Sequence, residues 1–139
     1  MTQFDEIFHS AATQAGLSWV FVYDDADRNL KVDGEITDYP CILRLFRESV
    51  LPLFDAQERV QRFMSLYIAH TGFDADTSEQ INENLEEIIR AFIVWREAMR
   101  RAGVEVSING NPYPSWELAD MDVYGYVFDL TVKYSICQS

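Results

Sequence analysis

The stretch Met121–Ile136, MDVYGYVFDLTVKYSI, decides the fold class. Tyr124, Tyr126, Phe128, Leu130, Val132, Tyr134 and Ile136 alternate with Gly125, Val127, Asp129, Thr131, Lys133 and Ser135. A period of two sends neighbouring side chains to opposite faces of a strand. The run therefore predicts one long strand with an apolar face on a core and a mixed face toward solvent or a partner. Gly125 within it predicts a bulge.

Working back from that strand, Val104–Ile108 reads as another, followed by the turn dipeptide Asn109-Gly110. NPYPSWELAD, rich in turn residues, reads as a connection. Before it lies the clearest helix, Ser78–Ala102. Ile81, Leu85, Ile88, Ile89, Phe92, Trp95 and Met99 form its apolar stripe, and Asp76, Thr77 and Ser78 supply caps. Glu79, Glu83, Glu86 and Glu87 gather early and Arg96, Arg100 and Arg101 late, the favourable direction for the helix dipole. Gly103 ends it.

The N-terminal half predicts a helix over Thr2–Ala15, capped by Thr2 with Asp5 three residues on and closed by Gly16. Leu17–Tyr23 is a strand apolar on both faces. Asp24–Pro40 is a polar loop, Tyr39–Phe46 a second strand, and Glu48–Gln57, with Pro52, a connection. Glu58–His70 reads as a third strand. Val60, Phe63, Met64 and Tyr67 also fit a helix, but Tyr67-Ile68 favour strand and Thr71-Gly72 stop it. The order is α-β-β-β-α-β-β. Short links between consecutive strands predict a mainly antiparallel sheet with both amphipathic helices on one face. The fold class is α+β, a two-layer sandwich, with residues 1–139 as a single domain.

The 139 residues suit one domain with a real core. The 48% apolar content is too high for a disordered chain. Two cysteines, Cys41 and Cys137, are too few for a disulfide scaffold, and neither lies in a C-x-x-C pair. They read as reduced thiols; a bridge between them requires that their strands be neighbours. MTQFDEIFHS is acidic and amphipathic and no apolar run approaches a spanning length, so neither signal peptide nor transmembrane segment is expected. The expected location is cytoplasmic, or within a virion. The net charge of -12 disfavours specific nucleic-acid binding and anionic membrane surfaces. The expected partners are proteins: basic surfaces, other assembly components, or copies of this chain.

Candidate chemistry is sparse. Asp25, Asp27, Asn29 and Asp33 match positions 1, 3, 5 and 9 of an EF-hand-like loop, but Leu30 stands where glycine belongs and Ile36 where glutamate belongs. The segment reads as a solvated acidic loop, with those four residues the candidate cation ligands. His9 and His70 have no partner at metal-ligand spacing. A Cys41/His70 nucleophile and base requires adjacent strands and an activating environment. Asp120 and Asp122 share one side of a strand and read as solvated. No phosphate loop, Walker motif or dinucleotide fingerprint occurs. No cofactor and no catalytic set is expected. Tyr124, Tyr126 and Phe128 read as core, with a protein interface as the alternative. Tyr113 and Trp116, in a proline-bounded loop, read as contact residues. The interface candidates are thus Tyr113, Trp116, Tyr124 and Tyr126.

The whole-chain pattern resembles phage tail-terminator (tail-completion) proteins. It carries a short N-terminal helix, a strand group, one long amphipathic helix opened by an acidic cap (DADTSEQINENLEEIIRAFIVW) and a long C-terminal strand (DVYGYVFDLTVKY). The resemblance spans nearly the full chain, in element order and length. It implies a small α+β protein that closes the end of a tail tube as a ring, usually a hexamer, without catalytic residues. The NGNPYPSWELAD connection departs from that pattern. The alternative function is an acidic adaptor that recognises a protein or small ligand through the loops Asp24–Asp38 and Asn109–Asp120.

Overall fold

The structure, a computed structural model, describes residues 2–22, 36, 38–45, 48–72, 76–115 and 123–136. Helix α1 (Gln3–Gln14) opens on the predicted capping box: the Thr2 hydroxyl accepts from the Asp5 N–H, and the Asp5 carboxylate accepts from the Thr2 N–H. Helix α2 (Ser78–Arg101) is capped by Thr77. Both helices close with a Schellman motif. At the second, Gly103 takes φ +88, and Gly103 N–H and Val104 N–H return to the carbonyls of Arg100 and Met99.

Among the described residues the strands are β1 (Ser18–Val22), β2 (Cys41–Leu45), β3 (Ser49–Pro52), β4 (Arg59–Thr71), β5 (Glu105–Ile108), β6 (Tyr113–Ser115) and β7 (Val123–Ser135). They form one mostly antiparallel sheet in the order β1-β2-β4-β7-β5; β3 also pairs with β4, and β6 with β7. The third expected strand is a strand and not a helix: β4 and β7 pair along their whole lengths, from Arg59↔Ser135 to Thr71↔Val123. The even-numbered side chains of both strands face the helices. Leu66, Ile68, Phe128, Leu130 and Val132 meet Phe8, Ile88, Phe92, Trp95 and Met99 in the main core. The architecture is the expected α+β sandwich with both helices on one face.

A second, smaller cluster lies on the other face. Cys41, Leu43, Tyr67, Ala69 and Val123 pack with Ile36 there, and Val20 joins them. This half of the sheet therefore carries buried side chains on both faces.

The structure corrects the sequence reading at five places. Ser49–Pro52 is not a connection but a strand in a hairpin with β4, and Tyr113–Ser115 pairs with β7. The prolines concealed both, yet Pro52 and Pro114 are tolerated because these strands lie at sheet edges. The pair β1–β2 is parallel, not antiparallel as expected of consecutive strands. Gly125 is not in a bulge; its register with Ala69 is unbroken. It is a glycine because a Cβ there would lie 1.9 Å from the Ile68 carbonyl oxygen. Ile89 leaves the apolar stripe and is exposed, whereas Ile88 is fully buried. One position is about 100° around the helix, enough to move a side chain off the core.

Candidate functional site

The largest polar feature of the core is one that sequence reading missed. Arg44 is 1% exposed, on the same face of β2 as Ile42. Its Nε and Nη2 donate to both carboxylate oxygens of Glu48, at 2.6 and 2.9 Å, and its Nη1 donates to Asp5 Oδ1 at 2.6 Å. Arg62 on β4 donates to Glu48 Oε1 at 2.6 Å and, through Nε and Nη2, to the Tyr134 hydroxyl at 3.0 and 2.8 Å. Two guanidiniums and two carboxylates balance, which is how charge is carried into a core. Aromatic rings seal the cluster: Arg44 lies over Phe21 and Phe8, and Arg62 over Phe4, which stacks on Tyr134. Burial alone would raise the Asp5 carboxyl; the hydrogen bond and charge of Arg44 outweigh it and hold the group below its ordinary value. The signal was present in CILRL, where alternation puts Arg44 on the buried side.

Beside this cluster a cavity of about 350 Å³ opens between the start of α1, the end of α2, β3 and the end of β7. Phe4, Ile7, Val50, Val60 and Val104 make its apolar wall, and Arg62 and Tyr134 its polar side. A more open groove shares Gly103 and Val104 with it and is lined by Arg59, Arg96 and Arg100.

The hairpin joining β3 to β4 stands next to the cavity. Asp55 Oδ1 accepts from the backbone N–H groups of Gln57 and Arg59, and Asp55 Oδ2 accepts from Arg59 Nε at 2.8 Å. The Arg59 hydrogen bonds hold the Asp55 carboxyl below its ordinary value. Leu53 N–H reaches the Arg59 carbonyl. Phe54 and Glu58 flank the turn with φ of +50. Phe54 is 83% exposed.

The sequence candidates fall as follows. Tyr124 is fully buried, donates to Asp76 Oδ2 at 2.8 Å and accepts from Asn84 Nδ2 at 2.6 Å. Tyr126 is half-buried and packs against the main core. Tyr113 on β6 is 50% exposed. Cys41 and His70 are on adjacent strands but opposite faces, since Cys41 pairs with Ala69 and His70 lies beside Tyr124. Burial pushes the Cys41 thiol up to about 12, so it is no nucleophile. Cys41 is a free thiol. His9 is buried and stacked on Trp19 with ring centroids 3.3 Å apart, and among the described residues neither of its nitrogens has a hydrogen-bond partner. Asp25, Asp27, Asn29, Asp33, Trp116, Asp120, Asp122 and Cys137 lie outside the described residues. Among the described residues no group of three metal-ligating side chains occurs, and no helix is long and apolar enough to cross a membrane.

Set against known proteins, the sequence matches no protein-family model and no curated protein.

Proposed function

We propose that this chain is a non-enzymatic assembly protein, resembling a phage tail terminator, that joins a ring at the end of a tail tube. The observation that carries this reading is the unlikeness of the two sheet edges. β1 and β3 form one edge and β5 and β6 the other. Val50 and Leu51 on β3 are 48% and 50% exposed, and Tyr113 on β6 is 50% exposed. Unlike surfaces that meet head to tail give a heterologous contact, which closes into a ring when the rotation allows. Pro52 and Pro114 remove a donor from each edge, which favours contact through side chains over strand addition.

Two further observations support it. The buried Arg44 and the half-buried Arg62 are tied into structural pairs with Asp5 and Glu48. The net charge of -12 suits a ring through which DNA passes without binding. The test is absolute mass by light scattering over a range of concentrations, followed by electron microscopy of the largest species. A discrete particle of about six times 16.1 kDa with a central opening is expected. A monomer at every concentration overturns the reading.

A further inference from the structure

We infer that the outer side of α2 docks against the same side of α2 in a second copy, antiparallel, about a two-fold axis at Ala91. The contact uses a helix face rather than the sheet edges, so it stands apart from the ring reading above.

Helix α2 carries an exposed stripe that the core does not use. Asn82, Glu86, Ile89, Ile93, Arg96 and Arg100 are all exposed. Their spacing alternates between four and three, a period of about 3.5 that keeps two helices in contact along a seam. Ile89 and Ile93, at the middle of the stripe, are 42% and 49% exposed. At about 100° per residue, the stripe lies on the side of α2 away from Ala98 and Ala102, which line the groove beside α1. Helix α1 shows the solvated alternative: its outer side exposes Gln3, Glu6, Ser10 and Gln14.

The stripe is complementary to its own reverse. Ile89 and Ile93 stand two positions either side of Ala91, Glu86 and Arg96 five, and Asn82 and Arg100 nine. Two copies of α2 running antiparallel about Ala91 set Ile89 against Ile93, Glu86 against Arg96 and Asn82 against Arg100, each pair twice. That is an isologous contact, in which one patch meets itself. It is apolar at its centre and polar at its ends, as interfaces are.

Charge selects the occupant and its direction, and the charges lie within the stripe itself. Arg96 forms no ion pair among the described residues; its guanidinium lies 5.7 Å from the Phe92 ring. Glu86 reaches Arg90 of its own helix at 3.9 Å, between side chains 72% and 66% exposed, a pair that contributes little. Copies of a chain at net charge -12 repel over most of their surface. Along this stripe the antiparallel arrangement brings opposite charges together. A parallel arrangement sets Glu86 on Glu86 and Arg96 on Arg96, so the same charges oppose it. A stripe that reads the same when reversed matches a second copy of this chain.

The experiment is sedimentation equilibrium on the full chain, on the double variant Ile89→Gln with Ile93→Gln, on Glu86→Arg, on Arg96→Glu, and on an equimolar mixture of the two charge variants. All four positions are exposed, and circular dichroism with a thermal melt checks that each variant folds. The double glutamine variant, which removes the apolar centre from both copies, is expected to raise the dissociation constant at least about tenfold. Each charge variant alone replaces two attractions by two repulsions and raises it by about tenfold. The mixture is expected to regain the wild-type affinity, because every swapped residue then meets its opposite on the other chain. Only an antiparallel contact between copies gives that rescue. A mixture that restores nothing, or a Glu86→Arg variant that associates as well as the wild type, overturns this contact. Larger assemblies that persist undiminished in every variant overturn it too and leave the ring reading standing. A wild-type chain that is monomeric throughout overturns both.

Discussion

Arg44 grips Glu48 through both carboxylate oxygens, at 2.6 and 2.9 Å, although Arg44 is only 1% exposed. Glu48 also accepts from Arg62 at 2.6 Å, so one carboxylate answers two guanidiniums. Replacing Glu48 with Ala leaves both cations in the core with Asp5 as their remaining acid. Breaking a buried pair in this way costs about 3–5 kcal/mol. Glu48→Gln keeps the shape and some hydrogen bonding, so its loss is expected to be smaller. Urea unfolding of the three proteins measures both. A loss under about 1 kcal/mol for Glu48→Ala would mean that water solvates the guanidiniums and that the cluster is not sealed.

Much of the fold was legible because local signals agreed. Thr2 and Asp5 both cap α1, Gly103 takes the left-handed position that ends α2, and strict alternation over 124–134 gives β7 its buried face. The missed elements were those where local and tertiary signals conflict. Pro52 and Pro114 suggest loops, yet strands at an edge tolerate a missing donor. Arg44 is a charged residue, and its burial depends on Asp5, Glu48 and rings far away in sequence. The parallel pairing of β1 with β2 is a long-range choice that no local pattern encodes. The candidate site suffered most. The cavity is assembled from α1, β3, β4, α2 and β7, and no window of sequence contains it.

His9 makes stability pH-dependent. Burial, aided by the charge of Arg44, pushes its pKa below the ordinary value of 6.5. The unfolded chain therefore takes up a proton at a higher pH than the native chain. Stability is full above about pH 6.5 and falls as the pH drops through that value, because proton uptake favours unfolding. Asp5 acts in the same direction in a lower window. Its depressed pKa gives stability above the carboxylate value of 3.8, lost as the pH falls further. His9→Phe keeps an aromatic ring against Trp19 and removes the titration. Thermal melts at pH 7.5 and 5.5 are expected to differ less for this variant than for the wild type. Equal differences would assign the pH dependence to other groups.

Cys41 is expected to be chemically silent in the folded chain. It is fully buried on the outer face of β2, and its thiol pKa is about 12. Little thiolate exists at pH 8, and reagent has no path to it. In a Cys137→Ser background, a thiol-reactive dye should label the chain only after denaturant is added. Labelling without denaturant, at the rate of a free thiol, would place Cys41 in a segment that opens readily.

Tyr124 and Asp76 tie the start of α2 to the sheet. The Tyr124 hydroxyl donates to Asp76 Oδ2 at 2.8 Å, and Asn84 donates to the same hydroxyl at 2.6 Å. Tyr124→Phe keeps the ring in the core and removes both bonds. Asp76 then keeps the longer 3.4 Å contact with Asn84. The expected loss is about 1–3 kcal/mol, the cost of leaving a partly buried polar group without its partner. Paired urea titrations of wild type and Tyr124→Phe measure it. No loss would show that the network is satisfied equally well by water.

Gly125 provides the sharpest test of the sheet. Its unbroken pairing with Ala69 brings the strands so close that an added Cβ would meet the Ile68 carbonyl oxygen at 1.9 Å and the Ala69 Cα at 2.8 Å. Neither obstacle is the end of a flexible side chain, so relief requires the central strands β4 and β7 to shift. Gly125→Ala is expected to cost at least about 3 kcal/mol, well above an ordinary surface substitution. The same change at Gly110, whose Cβ would meet nothing within 4 Å, strains only its own backbone, at φ +69. Gly110→Ala is therefore expected to cost about 1–2 kcal/mol. Urea midpoints for the two variants rank the effects. If Gly125→Ala proves the milder of the two, the pairing of β4 with β7 is looser at that point than its register implies.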